Sequence, residues 1–315
     1  MPSRIIQVIN GSQLDWSPDS SKFAFAQIDQ SGTTKDILCI MNRDGTELRK
    51  IAQWGLDPRW SIDSCKILCS CMGRLVLLDS NEDYINDNYR NPKSLCEKSV
   101  LMGQYSWSPD GTKVAFSSDS SLYVVNSDGS NLRCIKEDDK GDKRNISWSP
   151  DGSWLVYRDN GINVINVRTS SHKILSSRGG FPAWNPVNNK IAFYVSPLFQ
   201  RFDDNQKLPN EIRILDFDSD HIEKVSIRNA DIVSNMFQEL VWSPNGKHLA
   251  FQMNKFRWFR KELSAIYTLD VKVKQFTKVI EGIHARDSSI KWSPDSSKLA
   301  VCLVPEFNTK IIEVT

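Results

Sequence analysis

No run in these 315 residues approaches the roughly 20 apolar residues that a membrane-spanning helix needs. The N-terminus, Met1-Pro2-Ser3-Arg4-Ile5-Ile6-Gln7-Val8, has one early Arg but no long apolar segment and no small-residue cleavage site, so no secretory signal is read there. Charge imbalance is also lacking. Lys+Arg 40 against Asp+Glu 38 leaves a net charge of +2. That argues against a binder whose affinity comes from clustered cations neutralising phosphates. The seven cysteines are odd in number and irregular in spacing, which suits reduced thiols rather than a disulfide framework. Together these point to a cytoplasmic protein. Only four histidines occur: His172, His221, His248 and His284. No arrangement of Ser, His and Asp marks a triad, and no Gly-rich phosphate loop runs from a strand into a helix. Hence no cofactor, metal, membrane or small-molecule substrate is expected.

What the chain has instead is a repeat. Trp107-Ser108-Pro109-Asp110-Gly111-Thr112-Lys113-Val114-Ala115-Phe116 recurs in varied form seven times, on Trp16, Trp60, Trp107, Trp148, Trp184, Trp242 and Trp292. Two positions after the Trp stands Pro, except at Ile62; three after stands Asp or Asn, except at Val187. Pro presets φ, Asp bonds back to nearby amides, and Gly accepts φ > 0, so each Ser-Pro-Asp-Gly reads as a tight turn. An apolar triplet follows, such as Phe23-Ala24-Phe25 or Leu249-Ala250-Phe251. Three consecutive apolar residues mean a strand covered on both faces. A third strand is seen best in Leu122-Tyr123-Val124-Val125-Asn126, and a fourth in Leu132-Arg133-Cys134-Ile135.

Four strands per repeat, each sheet sandwiched between its neighbours, predict an all-β, seven-bladed propeller over residues 1–315 as a single domain. The last repeat runs out after its third strand, while Arg4-Ile5-Ile6-Gln7-Val8-Ile9 precedes the first Trp with no blade of its own. Pairing that segment as the outer strand of blade seven would close the ring and remove its open edges. Trp spacings run from 36 residues (Trp148 to Trp184) to 58 (Trp184 to Trp242), the longest interval being an insertion rather than an eighth blade.

Trp-Ser-Pro-Asp-Gly followed by Lys-x-Ala-Phe, then Tyr-Val-x-Asn-x-Asp-Gly, resembles the TolB-type, WD40-like propeller repeat, across essentially the whole chain. TolB proper is periplasmic and six-bladed with an extra N-terminal domain, and this chain is similar to its propeller alone. The resemblance implies binding, since such propellers serve as docking platforms or gate a serine peptidase, and no peptidase segment is read here.

Departures from the repeat locate the candidate site. Connections between strands two and three, and from strand four into the next blade, share one face of the ring. There blade five carries Ser196 to Asn210, with Phe199, Arg201 and Phe202, and blade six carries Lys255 to Ser264. In Lys255, Phe256, Arg257, Trp258, Phe259, Arg260 and Lys261, three aromatics are interleaved with four cations. Trp and Arg are frequent anchors of protein interfaces, and exposed apolar clusters mark them. A protein partner is therefore expected there. Two rivals stand: a lyase or hydrolase in the central channel, for which Asp231, Glu239, His284 and Asp287 are the nominees, and a nucleic-acid-binding accessory subunit, since aromatic and basic residues also stack bases. Asn81 to Pro92, between strands three and four of blade two, reads as a mobile surface loop. Cys65, Cys69 and Cys71 are close enough to suggest a metal, but Cys69 occupies a core position and no second Cys/His pair completes a zinc spacing.

Overall fold

The computed structural model describes residues 4–28, 36–85, 94–100, 103–138, 141, 143–195, 211–227, 237–255, 263–283, 289–303 and 308–314. Its strands form seven four-stranded antiparallel sheets, each a blade. Strand one of every blade ends on the repeat's Trp: Ser12–Trp16, Gly55–Trp60, Tyr105–Trp107, Arg144–Trp148, Gly180–Trp184, Phe237–Trp242 and Ile290–Trp292. These inner strands contact one another around the ring and so line its central channel. Arg4–Ile9 pairs antiparallel with Asn308–Glu313, so the N-terminal strand is the outer strand of blade seven, as the unmatched ends of the repeat pattern required. No helix among the described residues is long and apolar enough to cross a membrane.

Each apolar triplet is strand two and is almost completely buried: Phe23, Ala24 and Phe25 in blade one, Leu249, Ala250 and Phe251 in blade six. Its two faces serve different blade junctions. Ala24 belongs to the cluster that holds Trp60 of blade two, whereas Phe23 and Phe25 pack with Trp16 and Ile311 of blade seven. Burial on both faces leaves no polar alternation, which is why the triplets are uniformly apolar.

The Ser-Pro-Asp turn is a closed hydrogen-bond unit. Ser108 Oγ donates to Asp110 Oδ1 (2.6 Å) and accepts from Lys113 N (2.9 Å), while Asp110 Oδ1 accepts from Thr112 N (3.0 Å). The same three bonds recur on Ser17, Ser61, Ser149, Ser243 and Ser293. The serine, almost fully buried in each case, is the centre of the turn. Its role is not evident from the motif, where Pro, Asp and Gly draw attention. Gly111, Gly152 and Gly246 stand at left-handed φ of 69°, 69° and 68°, and Ser20, Ser64 and Ser296 hold the same position at 62°, 58° and 62°. Blade five departs: Asn185 replaces the serine, caps Val187 N and Asn188 N, and donates to Gly246 O in the next blade.

Neighbouring blades are also joined at the Trp. The indole N–H of Trp107, Trp148, Trp242 and Trp292 donates to the carbonyl of Arg59, Ser106, Ala183 and Val241, the residue before the Trp in the preceding blade. Trp16 and Trp60 break this pattern, their buried Nε1 having no hydrogen-bond partner.

Candidate functional site

The two faces of the ring differ in how strands are joined. Strand pairing of two and three beyond the Trp register ends at Cys71 with Arg74 in blade two, Ser118 with Ser121 in blade three and Arg158 with Ile162 in blade four. These blades are closed by two- or three-residue turns: Met72-Gly73, Asp119-Ser120 and Asp159-Asn160-Gly161. Blade six runs on to Lys255 with Leu263, and its strand four extends over Gln275–Ile283. Counted from the residue opposite the Trp, its hairpin is two residue pairs longer than those of blades two and three. At about 3.4 Å per residue that lifts its tip some ~7 Å further out. Lys255 is the last residue of strand two there. Phe256, Arg257, Trp258, Phe259, Arg260 and Lys261, and Phe199, Arg201 and Phe202 of blade five, lie outside the described residues.

Glu239 lies in strand one of blade six, Phe237–Trp242, and Glu281 in its strand four, Gln275–Ile283. Asp231, His284 and Asp287 lie outside the described residues.

Glu239, the nominee for the channel that the described residues include, belongs to a group of charges whose other members sequence reading missed. Glu239 interacts with Lys291 of blade seven and with Asp57 and Arg59 of blade two, and Asp15 of blade one interacts with the same three, so the charges form an arc over four consecutive blades. The remaining three present Gln104, Ser106, Asn145, Ser147, Phe181 and Ala183 at the same levels. All five charged residues fall one or three positions before the Trp, a spacing that could have revealed them once strand one is known to line the channel.

A recurrent bulge shapes strand one in five of the blades. Register shifts interrupt strand one in blades one, two, four, five and six. In four of these the residue three before the Trp takes left-handed φ: Gln13 54°, Asp57 51°, Asn145 54° and Phe181 54°. A bulge re-aims a side chain at a local cost in strain. Strand-one side chains reach the next blade with or without a bulge. Gln13 Oε1 accepts from Asp57 N (2.9 Å), Gln104 Oε1 from Asn145 N (2.9 Å), Glu239 Oε2 from Ile290 N (2.7 Å) and Asp15 Oδ2 from Trp60 N (2.9 Å).

Within the arc, Arg59 Nη2 pairs with Asp57 at 3.0 Å, and Tyr105 Oη donates to Asp57 O at 2.5 Å. Desolvation raises the carboxyls of Asp15 and Glu239 above their usual range, only partly offset by Lys291 and by the backbone N–H each accepts. Burial, and next the Arg59 charge, lower the Lys291 ammonium. For Arg59 burial works against the charge, but Asp57 and Asp15 outweigh it and the guanidinium stays charged. No carboxylate of the described residues lies within salt-bridge distance of Lys291, and Arg59 Nη1 is buried without a hydrogen-bond partner. The acids are held by backbone and guanidinium donors, while cationic donors remain uncommitted.

Of the three neighbouring cysteines only Cys69 is a packed thiol. Cys69 is fully buried and its thiol is pushed up by desolvation, Cys71 Sγ lies 3.5 Å from Gln53 O, and Cys65 is exposed at a turn. The described part of the blade-two insertion is docked rather than loose. Arg49 donates to Ser80 O and Asn81 O, Tyr84 N donates to Ile51 O, and the Tyr84 ring packs against the core.

No family model matches the chain. In sequence it is similar to an uncharacterised peptidase, YuxL, of Bacillus subtilis (strain 168), 29% identical over 149 residues. That match takes in 46% of this chain and 21% of the other, so the chain spans about a fifth of that relative's length. In structure it is similar to the β-propeller domain of Cps50 (Swd1) from Myceliophteria thermophila, with TM-score 0.71 and 15% identity over 100% of both chains. It is also similar to a chain of a mitotic checkpoint complex, with TM-score 0.67 and 17% identity over 98% of this chain and 91% of that one. A protein described as TolB from Agrobacterium tumefaciens gives TM-score 0.56 and 18% identity over 85% of this chain and 93% of its own. The chain shares the β-propeller fold of Swd1, of TolB and of the checkpoint-complex chain, and its own ring is a seven-bladed, WD40-like propeller.

Proposed function

We propose that residues 1–315 form one non-catalytic protein-interaction domain, a cytoplasmic recognition subunit of a larger assembly that binds through the long loops of blades five and six. The observation carrying this reading is the asymmetry of the loop face. Blades two to four end in minimal turns, whereas the paired strands of blade six run further, to Lys255 and Leu263, and the sequence between those two residues includes Phe256, Arg257, Trp258 and Phe259. An aromatic and basic segment joined to the longest hairpin among the described residues suits a protein interface, where a few Trp and Arg anchors supply most of the binding energy. A chain of a mitotic checkpoint complex among the structural neighbours is consistent with assembly into complexes. Replacing Phe256, Trp258 and Phe259 together by Ser should abolish co-purification of the native partner while leaving the thermal melt unchanged. Undiminished recovery would overturn the reading, and a steep loss of binding with salt would favour nucleic acid.

A second reading, chemistry in the channel, is favoured by the arc of Glu239, Lys291, Asp15 and Arg59 and by the partial likeness to YuxL. It requires that Lys291→Ala and Glu239→Gln each remove a measurable hydrolase or lyase activity of the purified chain.

A further inference from the structure

On the face of the Ser-Pro-Asp turns each blade is tied to the next near the rim. In strand three the residue opposite the middle of the apolar triplet is Ile40, Val124, Val164, Ile214 or Ile311, packed in the cluster of the next blade's Trp. Its partner in strand four carries a long side chain that crosses the junction. Arg49 donates to Asn81 O at 3.0 Å, Arg133 to Arg168 O at 3.3 Å, Lys173 pairs with Asp220 at 2.8 Å, and Glu223 with Lys274 at 2.8 Å. Gln7 reaches Gly45 in the same way from blade seven. Between blades two and three the carbonyl of Leu95 itself lies against Gly129.

The junction of blades six and seven breaks both rules. The strand-three residue is Thr268 and its strand-four partner is Thr277, too short to cross. The two substitutions coincide at a cleft of about 300 Å³ between His248, Thr268, Asp270 and Thr277 of blade six and Trp292 and Ser296 of blade seven. Asp270 spends one carboxylate oxygen on the turn, accepting from Lys272 N (2.9 Å) and Val273 N (3.1 Å), and turns the other towards His248 Nε2 at 3.5 Å. These turn N–H groups hold its carboxyl below the usual range, so it is ionised. Lys274 and Lys298 nearby are engaged by Glu223 and Asp295, and Lys272 is exposed on the turn.

We propose that this cleft receives a long basic side chain, arginine or lysine, presented by a partner protein. The molecule supplies the precedent. At five of the other six junctions the equivalent space is crossed by one extended side chain, and three of those five are Arg or Lys. The cleft offers such a chain an ionised carboxylate, hydroxyl acceptors and a Trp edge. Its volume is at the small end of ligand pockets, which run from roughly 300 to 1,000 Å³, and so fits a side chain better than a larger molecule. The site lies on the face opposite the blade-six tip and does not depend on the reading of those loops.

The test is a titration of the full chain with N-acetyl-arginine methylamide, followed at the Trp292 indole N–H by proton–nitrogen NMR, with Trp292→Phe identifying the signal. The signal should move and saturate. Asp270→Asn keeps the turn bonds but removes the charge, and should weaken binding about tenfold, the scale of one charge-assisted hydrogen bond. Thr277→Arg restores the internal bridge and should abolish the shift. A signal that does not move, equal affinity in Asp270→Asn, or a shift produced by inorganic phosphate and not by the arginine probe overturns the proposal. Should Thr277→Arg fail to fold, Asp270→Asn decides alone.

Discussion

Asp295 and Asp15 are both aspartates beside a blade Trp, one three positions after Trp292 and the other one position before Trp16, yet their surroundings give them opposite titrations. Asp295 sits in a turn open to water. Although its partial burial alone would raise the carboxyl, the donors from Ser293, Ser297 N and Ser297 Oγ win and bring it down to about 2. Asp15 faces the channel, where desolvation outweighs Lys291, Arg59 and the N–H of Trp60 and pushes its carboxyl up. The same residue type is thus a structural cap on the rim and a costly charge in the channel. The difference lies in whether water remains to solvate it after its donors are counted.

The largest effect should come from breaking the channel arc. Arg59→Met leaves Asp57, 6% exposed, and Asp15 without their guanidinium, and should cost about 3–5 kcal/mol in urea unfolding. Adding Asp57→Asn should recover part of that loss. A comparable loss on replacing the exposed Arg4 would show that the arc is nothing special.

Next is the response to acid. Asp19, Asp63, Asp110, Asp151 and Asp295 all titrate below the ordinary carboxylate range. Their stabilisation is complete above the unfolded value of roughly 3.9 and is lost as pH falls through the folded values, about 2 for Asp295. Asp15 and Glu239 have the opposite sign: protonating them as pH falls through their raised values relieves a cost. Carboxyl carbon NMR should therefore show two families of titration, with the channel pair protonating first and unfolding following only below pH of about 4.

Smaller, and diagnostic of the junctions flanking blade one, is Trp to Phe. At Trp148 the change deletes the donor to Ser106 O, while at Trp60 it removes an indole N–H that has no partner. Trp148→Phe should be more destabilising than Trp60→Phe by about 1 kcal/mol in denaturant unfolding. The smallest change is a gain. Ser20 holds the φ of 62° that Gly111 and Gly152 adopt without strain, so Ser20→Gly should stabilise by about 0.5–1 kcal/mol, read as a slightly higher melting temperature.

Much of the fold is legible because it rests on local rules. Trp at the end of strand one, the turn at Asp110 and the buried triplet each follow from residue type and spacing. The serine at the heart of the turn is present in the motif, but its importance depends on burial, which a residue name does not show. The channel charges escape notice for another reason. Asp15, Arg59 and Lys291 come from positions that vary from blade to blade, so no repeat announces them, and they meet only after the ring closes.

The sequence by itself determined seven blades, four strands in each, and an N-terminal strand that completes the last, because alternating turns and apolar triplets leave the backbone one way to satisfy its hydrogen bonds and bury both sheet faces. Only the tertiary structure decided which charges oppose one another across the channel, which Trp has a carbonyl to meet, and which junction lacks its bridge. Those are matters of distance between residues up to hundreds of positions apart, such as Asp15 and Lys291, and spacing along the chain can mark which residues face the channel but not which of them meet.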